Sequence, residues 1–483
     1  MNYRAVSHYL GLVLKLEAIC MLAAFAVSMF YGEAVMMKSL LMSAGITFLA
    51  GVILGLLSGR DMKIRLRESF VIIAVCWIAM SLMGALPFWL SGVMESFVDC
   101  VFESVSGFTT TAASVLVNTG SAPKGLLFWR SLSLWVGGMG VLVLLTATAL
   151  ISWGEGGTQN LMAENPGPVP GKLVPKLKNN ARIIYSVYIG LTALETILLS
   201  AGGMPLFDSV LTAMATAGTG GFTIHNASVA AYGSLYIETV ITVFMFMCGV
   251  NFNIYFFLLV RAFADIRKNE ELKVYIGIVL GASLLVALNL SAGGAYPSFF
   301  VSLRHSVFQV VSIMSTTGFL TADVALWPSL SRIILFFLML IGACAGSSAG
   351  GLKIARVVLL FKEVKRALFR VIRPRAVTMV KLDGKAVDRY VLHAANAYIV
   401  AYFILFALSF IVISADNIDF EGSATVVAAC MNNIGAGLGL TDTGKYALFS
   451  PLSKLVLMFD MLLGRLEIYP VLLLFSPRTW RHL

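Results

Sequence analysis

Apolar residues along this chain fall in long unbroken runs, not at the spacing of a one-sided helix or strand, which is the pattern of segments that meet no water. Runs near residues 10–30, 39–58, 69–91, 126–151, 183–201, 235–260, 274–291, 330–361, 390–414 and 452–475 each reach the roughly 20 residues needed to cross a bilayer. Between several of them lie apolar stretches of about 10–14 residues, too short to cross and too apolar for ordinary loops, which predicts re-entrant helices. Four such stretches read FVDCVFESVSGFTTTAAS (97–114), LFDSVLTAMATAGTGGFTI (206–224), LRHSVFQVVSIMSTTGFLT (303–321) and FEGSATVVAACMNNIGAGLG (420–439).

Laid over one another without gaps, they place Asp99, Asp208, His305 and Gly422 in register, and thirteen residues later Ala112, Gly221, Gly318 and Gly435. A period near one hundred residues decides architecture. It predicts an all-α membrane protein of four repeats about a pseudo-fourfold axis, with two extra helices in residues 1–60 and repeats at 61–160, 161–265, 266–375 and 376–483. Small residues at one fixed distance after four separate short helices are not what helix packing requires, since packing places glycines four apart within long spans. Non-helical backbone at membrane depth is tolerated where it lines a watery path. The carbonyls of Thr110-Thr111-Ala112, Thr219-Gly220-Gly221, Thr316-Thr317-Gly318 and Asn433-Ile434-Gly435 could then replace a cation's hydration shell, helped by the negative ends of four short helices.

Composition narrows this further. With 59% hydrophobic and 12% charged residues and a mean hydropathy of +0.88, large water-facing domains are excluded. The net charge of +10 is distributed over loops: alternate ones, with Arg4, hold 24 of the 35 Lys and Arg, which puts both termini in the cytoplasm and argues against nucleic acid as a partner. Lys15 and Glu17 in the first run predict a retained helix and not a cleaved signal. The six cysteines sit in apolar segments without CxxC or Cys/His spacing, and His225, His305 and His393 are isolated, so neither a disulfide framework nor a metal centre is expected. No nucleophile–base pair or nucleotide fingerprint appears, so no enzyme and no covalent cofactor is expected. An ion-coupled secondary transporter is the competing reading, although such carriers generally carry two inverted repeats.

The segments FESVSGFTTTAAS, FWRSLSLWVGGMGVLVLL (128–145), GACAGSSAGGLKIARVVLL (342–360), MNNIGAGLG (431–439) and MLLGRLEIYPVLLLF (461–475) resemble the Trk/Ktr/HKT superfamily of potassium transporters, on its bacterial TrkH/TrkG branch, over essentially the whole length. The resemblance implies four M1–P–M2 repeats, a potassium ion as cargo, residence in the cell inner membrane, a homodimer with one pore per subunit, and a cytoplasmic ring of nucleotide-binding regulatory subunits. The basic segment 362–375 would meet that ring or anionic lipid. Ala112 departs from the family's glycine; its Cβ still allows a carbonyl to point inward but disfavours left-handed backbone, and in the family's plant branch a non-glycine at this place accompanies sodium preference, so the resemblance implies potassium transport with appreciable sodium permeation. The Gly/Ser-rich break from Gly342 to Gly351, with Gly346, Ser347, Ser348 and Gly350, would be the family's intramembrane gate, and Lys353 and Arg465 would add positive charge below the filter. Alternatively, Lys353 and Arg465 serve structure as partners of Glu467 or of helix-end carbonyls. Asp99 and Glu103 could draw cations to the mouth, with helix capping an equal reading for Asp99.

Overall fold

The computed structural model describes residues 1–57, 66–140, 177–375, 379–438 and 445–480. Residues 141–151 of the fourth apolar run, the basic positions Arg60, Lys63, Arg65, Lys172, Lys176 and Arg481, Gly439, and the boundaries at 60/61 and 160/161 lie outside them.

The first two helices, Tyr3–Phe30 and Ala34–Leu56, form a hairpin whose close contact depends on missing side chains. A Cβ on Gly11 would stand 2.7 Å from the Gly51 carbonyl oxygen and 2.8 Å from the Gly55 nitrogen, so glycines four apart on one helix admit the other's backbone. The Glu33 carboxylate at its turn accepts from the Lys124 and Gly125 amides (2.5 and 3.0 Å). It thereby satisfies the free N–H groups of the helix Lys124–Met139 and ties the hairpin to the first repeat.

Each repeat then runs M1, P, M2. The M1 helices are Leu66–Gly84, Leu177–Ala201, Glu270–Ala292 and Arg389–Ile413; the P helices are Phe97–Phe108, Leu206–Gly218, Phe299–Met314 and Phe420–Met431. Their starts are written locally. Asn269, Ser298, Asp388 and Asp419 accept amide hydrogens from the first turns they precede, each such cap contributing about 1 kcal/mol. Pro123, Pro205 and Pro328 stand immediately before three further helices, where a missing N–H costs nothing. The P helices are enclosed: every residue from Gly422 to Met431 is buried, which is why these segments are small or apolar on all sides.

The M2 runs do not cross unbroken. Among the described residues, six helices are long and apolar enough to span, or seven if the pair Leu235–Gly249 and Phe252–Leu259, bent by 93°, counts as one. Lys124–Met139 ends at Gly140; Ser329–Met339 resumes only at Ile354–Ile372; Pro451–Leu466 resumes at Tyr469–Phe475. In the last, Pro470 has no N–H for the Leu466 carbonyl, and Glu467 and Ile468 turn left-handed (φ +60° and +61°). Sequence reading marks an interruption in the third run alone, because the other breaks carry too few glycines to lower local hydropathy.

Ion pairs join successive repeats at the P-helix end. M2 Glu238 of the second binds Arg304 of the third through both carboxylate oxygens (2.6 and 2.7 Å), M2 Arg332 of the third binds Glu421 of the fourth (3.0 Å), and M2 Lys454 of the fourth closes the ring on Asp99 of the first (2.6 Å). Asp99 is therefore neither a free acid at the mouth nor a cap, the N-cap position being Ser96.

Candidate functional site

After each P helix the chain reverses at the same register. Thr110, Thr219, Thr316 and Asn433 all adopt left-handed backbone, with φ of +58°, +54°, +58° and +56°. Two residues on, Ala112, Gly318 and Gly435 do so again, at +60°, +78° and +78°. In these three loops one helix carbonyl accepts two amides: Ser106 O from Thr111 and Ala112 (2.9 and 3.2 Å), Ser312 O from Thr317 and Gly318 (2.9 and 3.2 Å), and Ala429 O from Ile434 and Gly435 (2.8 and 3.3 Å). The second loop differs. Ala215 O accepts from Gly220 (2.9 Å) without a second bond from Gly221, whose φ is not positive. The Cβ of Ala112 disfavours left-handed backbone without preventing it: the surrounding bonds hold it there, at a cost of about 1–3 kcal/mol.

The loops touch in a closed order. A Cβ on Gly435 would overlap the Thr111 oxygen, one on Gly318 the Ile434 oxygen, and one on Gly221 would sit 2.5 Å from the Thr317 oxygen; Gly220 approaches the Thr110 oxygen in the same way at 2.7 Å. Side chains reinforce the ring, with Asn433 Nδ2 donating to Thr111 Oγ1 (2.9 Å) and to Met461 O (2.9 Å). Ala112, Gly221 and Gly318 are part-exposed although central, so they border an opening, whereas Thr110, Thr111, Thr219, Thr316, Thr317 and Ile434 are buried.

Beneath the loops lies the break in the third M2 run. Its neck is closed by Gly342 N to Leu352 O (2.8 Å) and Ile354 N to Ala343 O (3.2 Å). Glu271 Oε1 accepts from Ala345 N and Ala355 N on either side of it (2.7 and 3.1 Å). The loop then hangs on the P-loop tips: Gly350 N donates to Thr316 Oγ1 (3.1 Å) and Leu352 N to Asn432 Oδ1 (3.4 Å). Gly346 O accepts from Phe252 N (3.1 Å). Arg465 donates to Ser348 O (2.6 Å), to Gly138 O (2.7 Å) and to Gly137 O, so it ties the loop to carbonyls in the last turn of the first M2 helix. Lys353 donates to Ala349 O within the loop. Glu467 is taken by Arg356 and not by either of these cations.

Of the residues singled out in the sequence, the twelve at the P-loop tips and the eight around the break are thus brought into one contiguous region. Glu103 is not at the mouth. It is fully buried and accepts from Ser114 Oγ (2.9 Å), Val115 N (3.0 Å) and Arg130 Nε (2.6 Å), because a carboxylate at that depth requires partners. Arg130, Asn432, Glu271 and Arg356 were not legible as site residues, although Arg130, an arginine inside an apolar run, carried a usable signal. His305 Nδ1 meets Thr321 Oγ1 (3.2 Å), and His225 Nε2 lies 3.5 Å from Asp208.

Comparison with known proteins agrees with this geometry. The TrkH family profile, described as "Cation transport protein", matches residues 39–281 and 298–481. The chain is 35% identical to the Trk system potassium uptake protein TrkH of Salmonella typhimurium, over all of both chains. It is 32% identical to TrkG of Escherichia coli K12, over 99% of each. Among solved structures, the potassium transporter TrkH from Vibrio parahaemolyticus superposes with a TM-score of 0.88 at 30% identity, covering 100% of both chains. A match of this extent, carried by a ring of four P-loops within a multi-pass helical bundle, makes the protein a transporter and not an enzyme: the chain belongs to the TrkH family of cation transport proteins.

Proposed function

We propose that this protein takes up potassium across the cell inner membrane, through a filter formed by the four P-loop tips at 110–112, 219–221, 316–318 and 433–435, with sodium permeating appreciably. The closed order of the loops carries this reading: four reversals at one register, three of them against the next loop's carbonyl and the second also against the first's, surround a single axis, where backbone oxygens can replace water around a dehydrated cation. Ala112 at the opening is the ground for sodium permeation, since it gives one wall a methyl where the other three have hydrogen.

In the same reading the loop 342–351 is the gate. It lies across the exit from the filter, and Arg465 and Lys353 hold it while placing two cationic side chains on the ion's way out. The positive-inside distribution argues for cytoplasmic termini and for a cytoplasmic C-terminal end of the helix Ile354–Ile372. That helix and the turn after it expose Lys365, Arg370, Arg373 and Arg375, and an open groove of about 590 Å³ lies beside it, walled by Leu368, Phe369 and Met379. This is the face on which a nucleotide-binding regulatory subunit would dock on the homodimer, near anionic lipid headgroups.

Uptake of radioactive rubidium into proteoliposomes of the purified protein tests both parts. We expect saturable entry competed by potassium and less strongly by sodium, and several-fold faster entry for Arg465→Gln, since a hydrogen bond from a charged group is worth about 1.5–3 kcal/mol. No entry of any monovalent cation, even with Arg465→Gln, would remove the pore reading.

A further inference from the structure

Three of the four seams between repeats are built alike. Four residues beyond the M2 N-caps Ser234, Pro328 and Ser450 stand Glu238, Arg332 and Lys454, each paired with an opposite charge near the start of the next P helix. At the first seam that position is Leu127, and the facing P helix begins Leu206-Phe207, with Lys124 lying over the Phe207 ring at 5.1 Å. The ionic link is absent from that level. About one turn deeper stands Arg130, whose ion pair is made with Glu103 of its own repeat. This side chain is 2% exposed; its Nε binds Glu103 behind the first loop, its Nη1 donates to Thr223 O in the second loop (3.2 Å), and its guanidinium lies 3.6 Å from the Phe222 ring centre.

The first seam is also where the loops are unequal. In the other three, the residue thirteen after the register point abuts the preceding residue's carbonyl in the next loop: Gly221 against Thr317, Gly318 against Ile434, Gly435 against Thr111. By the same relation the Ala112 methyl would face Gly220, in the one loop that departs from the shared hydrogen-bond pattern. A loop with one amide bond to its helix carbonyl where the others have two gains from another anchor, and Arg130 reaches it at Thr223 while bracing the Glu103 that holds Ser114 and Val115.

We propose that Arg130 is a positioning residue for selectivity: through Glu103 and the Thr223 carbonyl it sets the separation of the first and second filter loops, while the peripheral ion pairs of the other seams only hold the bundle together. This rests on the four-loop filter reading. Arginine suits the task because its planar fork reaches two acceptors in fixed directions, which a lysine ammonium at the same place does not.

The test uses the full chain in cells whose own potassium uptake is deleted, and reads the sodium concentration that halves rubidium uptake. For Arg130→Gln we expect that concentration to fall about tenfold, the equivalent of losing one charged hydrogen bond. Arg130→Lys should fall in between, and Glu421→Gln, at a peripheral seam, should stay within about twofold of the parent. Should Arg130→Gln not reach the membrane, the neutral pair Glu103→Gln/Arg130→Gln replaces it, since it leaves no buried charge unpaired. Gly318→Ala is measured beside them. If it alters sodium competition while the Arg130 variants do not, the brace is overturned and the filter stands. If Gly318→Ala has no effect either, the filter reading beneath the proposal has failed.

Discussion

The first and second P-loops exchange the behaviour their residues suggest. Loop one carries alanine at the opening and keeps the left-handed bend shared with loops three and four; loop two carries glycine, for which that bend is free, and does not adopt it. Residue type therefore limits what a loop can do, and its neighbours decide what it does. At Ala112 two amide bonds to Ser106 O outweigh a local strain of about 1–3 kcal/mol. At Gly221 the partner surface is different, and the Gly220-Gly221 pair yields because nothing in it resists.

The comparison is broken most severely in loops three and four, where glycine is needed both for its φ and for closeness. Gly318→Ala or Gly435→Ala would combine a left-handed Cβ with overlap of the Ile434 or Thr111 oxygen. The loops would have to part by a large fraction of an ångström. We expect rubidium uptake by purified protein in proteoliposomes to fall on the order of 10²-fold, the usual result of misplacing reacting or coordinating groups by about 1 Å, while the amount inserted in the membrane changes little. Equal uptake by parent and variant would show that these carbonyls do not contact the ion.

Gly221→Ala is the intermediate case. Its φ tolerates a side chain, and what resists one is the approach to the third loop's backbone, with the Thr317 oxygen at 2.5 Å and the Gly318 carbonyl carbon at 3.0 Å. A loop anchored by one helix bond in place of two can move aside, so uptake should fall by about tenfold, the equivalent of about 1.4 kcal/mol, and less than for Gly318→Ala in the same assay. If the two variants lose equal activity, the second loop is as rigid as the third, and its different backbone has no mechanical consequence.

The sequence makes the repeat and all four tips legible because a fixed register between short apolar helices has no other economical explanation. It shows the third break through a cluster of glycine and serine. The remaining breaks stay hidden: Glu467 and Ile468 turn left-handed with side chains that do not advertise it, and Pro470, the local cause, is one residue in a strongly apolar run. Glu103 is visible as a charge in a P helix, but its partner Arg130 lies 27 residues away and the Thr223 carbonyl it meets belongs to another repeat. Pairing across a pseudo-fourfold seam depends on how repeats abut, which no single segment encodes. The loop 342–351 is legible as irregular backbone, and its anchors Glu271 and Asn432 are not, because an acid in a first helical turn and an asparagine after a helix look like ordinary end residues.

Ala112→Gly gives the smallest effect and the sharpest reading of the comparison. Removing the methyl relieves the left-handed strain at 112, while the added freedom of glycine in the unfolded chain offsets roughly 0.4–1 kcal/mol of it, so thermal stability in detergent should change by about 1 kcal/mol or less. Selectivity responds differently, because it depends on what the methyl faces and not on the local strain. With that space vacated, loop two is free to take the second amide bond that loops one, three and four make, and the opening becomes equivalent on all four sides. Sodium should then compete less well against rubidium, by about threefold, at nearly unchanged rubidium uptake, a change of under 1 kcal/mol in relative ion binding. If sodium competition is unaltered while stability rises, the methyl is only strained, and the departure of loop two has its origin within its own Gly220-Gly221 pair.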